Sequence, residues 1–297
     1  MAWSGSHHWR GAVALLAAVA LAAGCGGDSE QSTEPTVAPP SGETVVYAIG
    51  DGADGSKRSA RLARYVTKQD PDRFFYLGDV YETGTPEEFQ ENYDSLYGEL
   101  ADRTDPVIGN HEEANSPKGY YPYWNVKRGW TQEEAQHRSY VDAESGWQII
   151  AYSSEDDSEA ESEWIAEQVA MHEGTCRIAL GHRGRYMVAD DLHGDNPELQ
   201  PIWAALIGWT AINLVGHSHV YGRLSAIDGT SVIVSGTGGH DARELGDQDH
   251  DVEAANTRNP TAVRLVLKQG EAEVAQVDAK GTVIDSTVIP CTPATGK

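Results

Sequence analysis

Val45-Val46-Tyr47-Ala48-Ile49-Gly50-Asp51 is a short run of β-branched, aromatic and aliphatic residues that ends in a glycine and then a carboxylate. Such a run predicts a buried strand. The same ending recurs along the chain. Residues 74–77 lead into Gly78-Asp79, and 106–108 into Gly109-Asn110-His111-Glu112. Residues 177–180 lead into Gly181-His182, and 212–215 into Gly216-His217-Ser218-His219. Glycine lets a backbone turn sharply and come close to a bound ion. In open α/β sheets, functional groups gather beyond the carboxyl ends of the strands.

Outward from these strand ends, the spacing predicts helices over 56–68, 86–100, 161–172 and 198–207, and a further strand over 148–151. Strands alternating with helices argue for an α/β fold with packed sheets. After His219 the pattern turns mostly to strands, over 223–227, 231–234, 262–267, 273–277 and 283–289. With no internal repeat, residues 44–290 form one domain, followed by a short tail over 291–297.

Asp51, Asp79, Asn110, His182, His217 and His219 supply two carboxylates, one amide oxygen and three imidazoles. Only His217 and His219 are close in sequence, so the set converges only if the strand ends lie side by side. Mixed oxygen and imidazole donors suit Fe, Mn or Zn. The lack of cysteine among them argues against a structural thiolate zinc site. A carboxylate shared between two ions is what a binuclear hydrolytic centre needs, with the ions about 3.5–4 Å apart.

The order Gly-Asp, Gly-Asp, Gly-Asn-His-Glu, Gly-His, Gly-His-Ser-His resembles the calcineurin-like metallophosphoesterase superfamily, from Thr44 to about Ile227. The resemblance implies a four-layer α/β/β/α sandwich and hydrolysis of phosphate esters by a hydroxide held at a binuclear centre. It also implies roles. Asp51 and His219 bind the first metal, Asp79 bridges both, and Asn110, His182 and His217 bind the second. His111 binds no metal; it lies by the substrate phosphate and stabilises the transition state or protonates the leaving alcohol.

The commonest first motif of the superfamily is Asp-x-His, whereas this chain has Asp51-Gly52-Ala53. The purple acid phosphatase branch also lacks that His and places a Tyr three residues after the bridging Asp. Here Tyr81 comes two residues after Asp79, so it either serves as a ligand from a shorter loop or points elsewhere. A phenolate ligand would favour ferric iron, and hence a mixed-valence pair rather than two divalent ions. An acid-phosphatase-like phosphomonoesterase is the first expectation. A phosphodiesterase or nucleotide hydrolase on the same scaffold is the alternative, and a non-catalytic lipoprotein that binds a phosphate ligand is a third.

Other residues keep two readings. Gly119-Tyr120-Tyr121-Pro122-Tyr123-Trp124 is an aromatic loop that walls a cleft or packs a core. Arg183 and Arg185 either bind phosphate oxygens or pair with surface acids. His240, in a turn-rich loop, lines the site or faces solvent. His137, His172, His193 and His250 have no motif context and default to the surface.

Arg10 precedes an apolar run, residues 11–23, that is too short for a permanent span and reads as a secretory signal. It ends Leu21-Ala22-Ala23-Gly24-Cys25, which resembles a bacterial lipobox with Cys25 as the lipidated residue. The expectation is an extracytoplasmic lipoprotein of the bacterial cell membrane, or a secreted protein if Cys25 is not lipidated. Residues 26–43, rich in Gly, Ser, Thr, Glu and Pro, cannot bury a core and predict a disordered tether. Cys176 and Cys291 remain as an even pair, whose bonding the sequence leaves open.

The net charge is −24, with 46 Asp and Glu against 22 Lys and Arg. Bulk electrostatics therefore exclude nucleic acid as a partner. A small phosphorylated substrate needs a local cationic focus, which bound metal ions supply.

Overall fold

The structure, a computed structural model, describes residues 1–2 and 42–292 except 190, 248 and 249. Contacts divide the chain into Met1–Ala38 and Pro39–Lys297, and the second unit is the one described here. The signal, Cys25 and almost all of the tether lie outside the described residues. None of the described helices is long and apolar enough to cross a membrane.

Thirteen strands are described: β1 (Thr44–Ile49), β2 (Arg73–Tyr76), β3 (Thr104–Pro106), β4 (Arg138–Val141), β5 (Trp147–Ala151), β6 (Cys176–Leu180), β7 (Ile212–Val215), β8 (Tyr221–Leu224), β9 (Ser231–Ser235), β10 (Val252–Asn256), β11 (Thr261–Lys268), β12 (Glu271–Asp278) and β13 (Val283–Pro290). They form a six-stranded sheet in the order β13-β12-β11-β1-β2-β3 and a seven-stranded sheet in the order β10-β8-β9-β7-β6-β5-β4. The triplet β1, β2 and β3 runs parallel, as do β5, β6, β7 and β9.

Alternation along each strand explains the layers. Val46, Ala48, Phe75 and Leu77 meet Ile149, Ile178, Leu180, Ile212 and Leu214 in one cluster between the sheets. Tyr47, Ile49, Phe74 and Tyr76 point the other way, onto Leu62, Ala63 and Val66 of the helix Lys57–Lys68. Across the second sheet, Ile150 and Ala179 pack on Ile165 and Val169 of the helix Ser158–Met171 and on Ile202 and Leu206 of the helix Gln200–Leu206. The result is the α/β/β/α sandwich.

Several elements differ from the sequence expectation. The third strand is Thr104–Pro106 rather than 106–108; Val107 still donates to the Tyr76 carbonyl, but Pro106 has no N–H to extend the ladder. The aromatic stretch expected as a loop is the helix Tyr120–Arg128, with Tyr120, Tyr123 and Trp124 buried at helical spacing. Pro122 falls in its first turn, where a missing N–H costs nothing. The predicted helix over 86–100 is a succession of short α, π and 3₁₀ turns that reaches Arg103. Cys176 of β6 and Cys291, just past β13, form a disulfide.

Candidate metal centre

The parallel strands deliver their polar ends to one edge of the sandwich. Asp51 follows β1, Asp79 follows β2, Asn110 opens the helical turn Asn110–Glu113 after β3, His182 follows β6, and His217 and His219 follow β7. Backbone bonds order this edge. Gly50 N donates to the Ser235 carbonyl of the other sheet at 2.8 Å, while Asp51 N donates to Gly78 at 3.1 Å and Gly216 N to His182 at 2.9 Å within their own sheets. Glycine is required at two of these turns. Gly78 has φ +86°, and a Cβ there would sit 2.5 Å from the His182 ring; a Cβ on Gly109 would sit 2.2 Å from Asp79 Oδ1.

The donors fall into two groups that share one residue. Asp51, Asp79 and His219 converge in the first, and Asp79, His182 and His217 in the second. Asp79 serves both with different oxygens. Its Oδ2 lies 3.1 Å from the Tyr81 hydroxyl in the first group, and its Oδ1 lies 3.4 Å from His182 Nε2 in the second. The Tyr81 hydroxyl sits among Asp51 Oδ1 (2.9 Å), Asp79 Oδ2 and His219 Nε2 (2.9 Å), so the shorter loop does bring Tyr81 to the first group. Asn110 Oδ1 lies 3.0 Å from His182 Nε2, on the side of the second.

Each of the three imidazoles is fixed by a backbone carbonyl on its far side. His182 Nδ1 donates to Leu77 at 2.7 Å, His217 Nε2 to Leu192 at 3.2 Å, and His219 Nδ1 to Asp241 at 2.8 Å. A carbonyl only accepts, so the opposite nitrogens present lone pairs to the centre, which is how metal-ligating histidines are held. Asp51 and Asp79 are buried, and among the described residues neither pairs with a lysine or arginine. Buried carboxylates without a cation are costly. The cluster behaves accordingly. Burial works to lower His182, yet the adjoining Asp79 carboxylate prevails and pushes it up to about 10; burial, and then the charge on His182, pull His217 down to about 2. Buried carboxylates and imidazoles converging with no lysine or arginine among them fit a bound cation.

His111 lies beside the centre. Its backbone N donates to Asp79 Oδ1 at 3.1 Å, its Nδ1 is held by the Glu82 carbonyl at 2.5 Å, and its Nε2 is 3.9 Å from Asp79 Oδ2. Glu112 locks the turn. Its carboxylate accepts from Gly109 N (2.8 Å), Asp79 N (3.1 Å) and Val80 N (2.6 Å). Burial, and behind it the Asp79 charge, pushes Glu112 up to about 8.

His240 stacks on Tyr81 at 3.7 Å between centroids, so it lines the site. Arg183 pairs with Glu155 at 3.1 Å and Arg185 with Asp195 at 3.7 Å, the charge-pairing reading of both. His193, expected at the surface, is instead half-buried and stacked on His217 at 4.7 Å, with His219 at 5.5 Å. Burial, then the charges of Arg243 and His219, lower it to about 4. No glycine-terminated strand precedes His193; it arrives on the short turn Asp191–His193, so no local signal marked it.

The calcineurin-like phosphoesterase family model matches residues 44–221, more than half of the chain. No curated protein matches significantly in sequence. Among solved structures, the chain is similar to GAP50, described as the anchor in the inner membrane complex of Plasmodium (TM-score 0.66, 13% identity, 85% of this chain and 90% of that one). It is also similar to the purple acid phosphatase PPD1 of yellow lupin (TM-score 0.65, 18% identity, 84% of this chain and 54% of that one). A dimetal phosphatase from Danio rerio aligns with TM-score 0.58 and 11% identity over 83% of this chain and 98% of that one. At these identities the likeness is one of fold.

Proposed function

The chain belongs to the calcineurin-like phosphoesterase family and is a phosphoric ester hydrolase; from that premise we propose that it cleaves phosphate monoesters at a two-ion centre of the purple acid phosphatase type. The observation that carries this reading is Asp79, whose two carboxylate oxygens face two separate donor groups. The first ion would be held by Asp51, Asp79, His219 and Tyr81, and the second by Asp79, Asn110, His182 and His217. A bound pair supplies Lewis-acid charge and a nucleophilic water at neutral pH. Tyr81 in the first group supports the acid-phosphatase type and a ferric ion at that position; Zn or Mn suits the imidazole-rich second group.

The remaining work falls to the chain. His111 Nε2 faces the centre while its Nδ1 is anchored to the Glu82 carbonyl, which suits it to hand a proton to the leaving alcohol oxygen. His193 and His240 stack on His217 and Tyr81, which places them to flank a phosphate monoester bound at the centre. Arg183 is engaged through its Nε by Glu155, which leaves its terminal nitrogens to offer a phosphate. Metal-loaded protein should turn over p-nitrophenyl phosphate faster than bis-(p-nitrophenyl) phosphate. A clear preference for the bis ester would assign the chain to diester substrates instead.

Export and lipidation at Cys25 belong to the same reading. They are supported by the apolar run and the small residues before Cys25, and by the Cys176–Cys291 disulfide, a bond that persists in oxidising compartments. Detergent phase partition of the wild type and of Cys25→Ser checks the anchor: the wild type should enter the detergent phase and the variant should not.

A further inference from the structure

A groove of about 700 Å³ runs between the helix Lys57–Lys68 and two loops that carry Arg258 and Lys280. Helical spacing places Arg61, Arg64, Tyr65 and Lys68 on one stripe of that helix, and Arg258 and Lys280 belong to the facing wall. Tyr65, Pro260 and Ala279 add apolar surface. Among the described residues, none of the five exposed cations is in an ion pair; Lys57, Lys118, Arg243 and Arg264 are also in none, but only these five line one groove. The only acid in the lining is Asp278. Its Oδ1 accepts from the backbone N–H groups of Lys280 at 2.8 Å and Thr282 at 2.9 Å, and the Lys280 charge also acts on it, so one carboxylate faces five cations.

Five exposed cations gathered in one groove, none in an ion pair among the described residues, call for a cause in a chain with 46 acidic residues and 22 basic ones. The helix macrodipole accounts for Lys68 in the last turn. It does not account for Arg61 and Arg64 further up, or for Arg258 and Lys280 on other elements. Like charges held together without partners repel, and an anion between them relieves that repulsion.

We propose that this groove is a second anion site, separate from the metal centre, that binds a small soluble oligophosphate. Charge spread over two walls matches a ligand with several phosphoryl groups in a row better than a single phosphate. Three of the five cations are arginines, whose planar forks suit phosphate oxygens two at a time. The volume falls within the ordinary range for small-molecule sites. The overall charge selects for size. Screening confines the groove's field to about 8 Å at physiological salt, so a ligand seated inside feels the cations, while a nucleic acid or a flat anionic membrane faces the acidic remainder of the surface. The groove contains neither the carboxylates nor the imidazoles of the metal centre, so binding here does not depend on the phosphoesterase reading.

Calorimetric titration of tripolyphosphate into the full chain, dialysed free of metal, tests the site. One equivalent should bind, and more weakly as salt is raised. Arg64→Glu with Arg258→Glu, and separately Arg61→Ala with Lys280→Ala, should each weaken binding by at least about tenfold, the equivalent of 1.4 kcal/mol. Lys118→Glu, a charge change outside the groove, should leave it unchanged, and circular dichroism should show every variant folded. The proposal is overturned if metal-free protein binds no tripolyphosphate, or if folded groove variants bind it as the wild type does. It is equally overturned if groove-dependent binding appears only with vesicles of equal parts phosphatidylcholine and phosphatidylglycerol.

Discussion

Asp51, Asp79, His217 and His219 all hold left-handed backbone, with φ of 60°, 68°, 65° and 52°. Such a conformation costs a non-glycine residue on the order of 1–3 kcal/mol, and here it aims four donors at one point. Neighbouring bonds hold the strain in place, among them His217 N donating to Asp51 Oδ2 at 2.9 Å. Gly109→Ala would push a methyl onto Asp79 Oδ1 and, at 2.8 Å, Glu112 Oε2. Because Asp79 serves both donor groups, the purified variant should lose both ions by elemental analysis, and a full metal complement would contradict the shared carboxylate. His111→Ala should keep both ions and lower kcat by about 10²–10⁴-fold. Loss of metal there would make His111 a ligand. Tyr81 tests the weaker half of the centre. Burial, and then Asp51 and Asp79, push its phenol well above the ordinary 10, so it ionises only beside a cation. Tyr81→Phe should reduce the metal content from two ions towards one, and any visible absorption of the wild type should go with it.

At the scale of elements, the two sheets are joined by a polar clamp as well as by the apolar layer between them. Asp285 on β13 accepts from Tyr221 at 2.7 Å and from Arg223 Nε and Nη2 at 2.8 and 3.1 Å, both donors on β8 of the other sheet. The Arg223 hydrogen bonds hold the Asp285 carboxyl below its usual range. A depressed carboxylate stabilises the fold above its unfolded pKa of about 3.9, and that contribution fades as pH falls through the lower folded value. Asp285→Asn should therefore cost about 1.5–3 kcal/mol at pH 7, the range for a hydrogen-bonded charge. The gap from wild type should narrow on acidification below about pH 4, as read from urea midpoints. A gap independent of pH would remove the clamp from the account. Central strands were legible in the sequence because burial on both faces makes them continuous apolar runs. The edge strands β4 and β10 were missed because they are largely half-exposed and lack that pattern. The helix Tyr120–Arg128 was missed because Pro122 within an aromatic run reads locally as a turn.

Across the whole molecule, the metal centre is a joint between two sheets, so occupying it should stabilise the fold. An ion present at a hundred times its Kd contributes about 2.7 kcal/mol. Chelation should lower Tm and abolish turnover, and two equivalents of metal per chain should restore both. Full recovery with a single equivalent would contradict the two-group geometry. The disulfide acts on the same scale, linking β6 of one sheet to the chain just beyond β13 of the other. Reduction should cost roughly 2–4 kcal/mol.

The sequence by itself determined an α/β chain whose strands end in six candidate donors, because each strand and the glycine-borne polar residue at its end are adjacent in the chain and leave a local signature; the four-layer sandwich came from the family resemblance those motifs carry. Tertiary structure alone decided that Asp79 divides its oxygens between two groups, that Tyr81 reaches the first of them, and that His193 and His240 stack on His217 and Tyr81. It also paired Cys176 with Cys291 and gathered five cations into a groove. Each of these depends on loops and strands from distant parts of the chain meeting at one edge or face of the two packed sheets, a distance in space that spacing along the sequence does not encode.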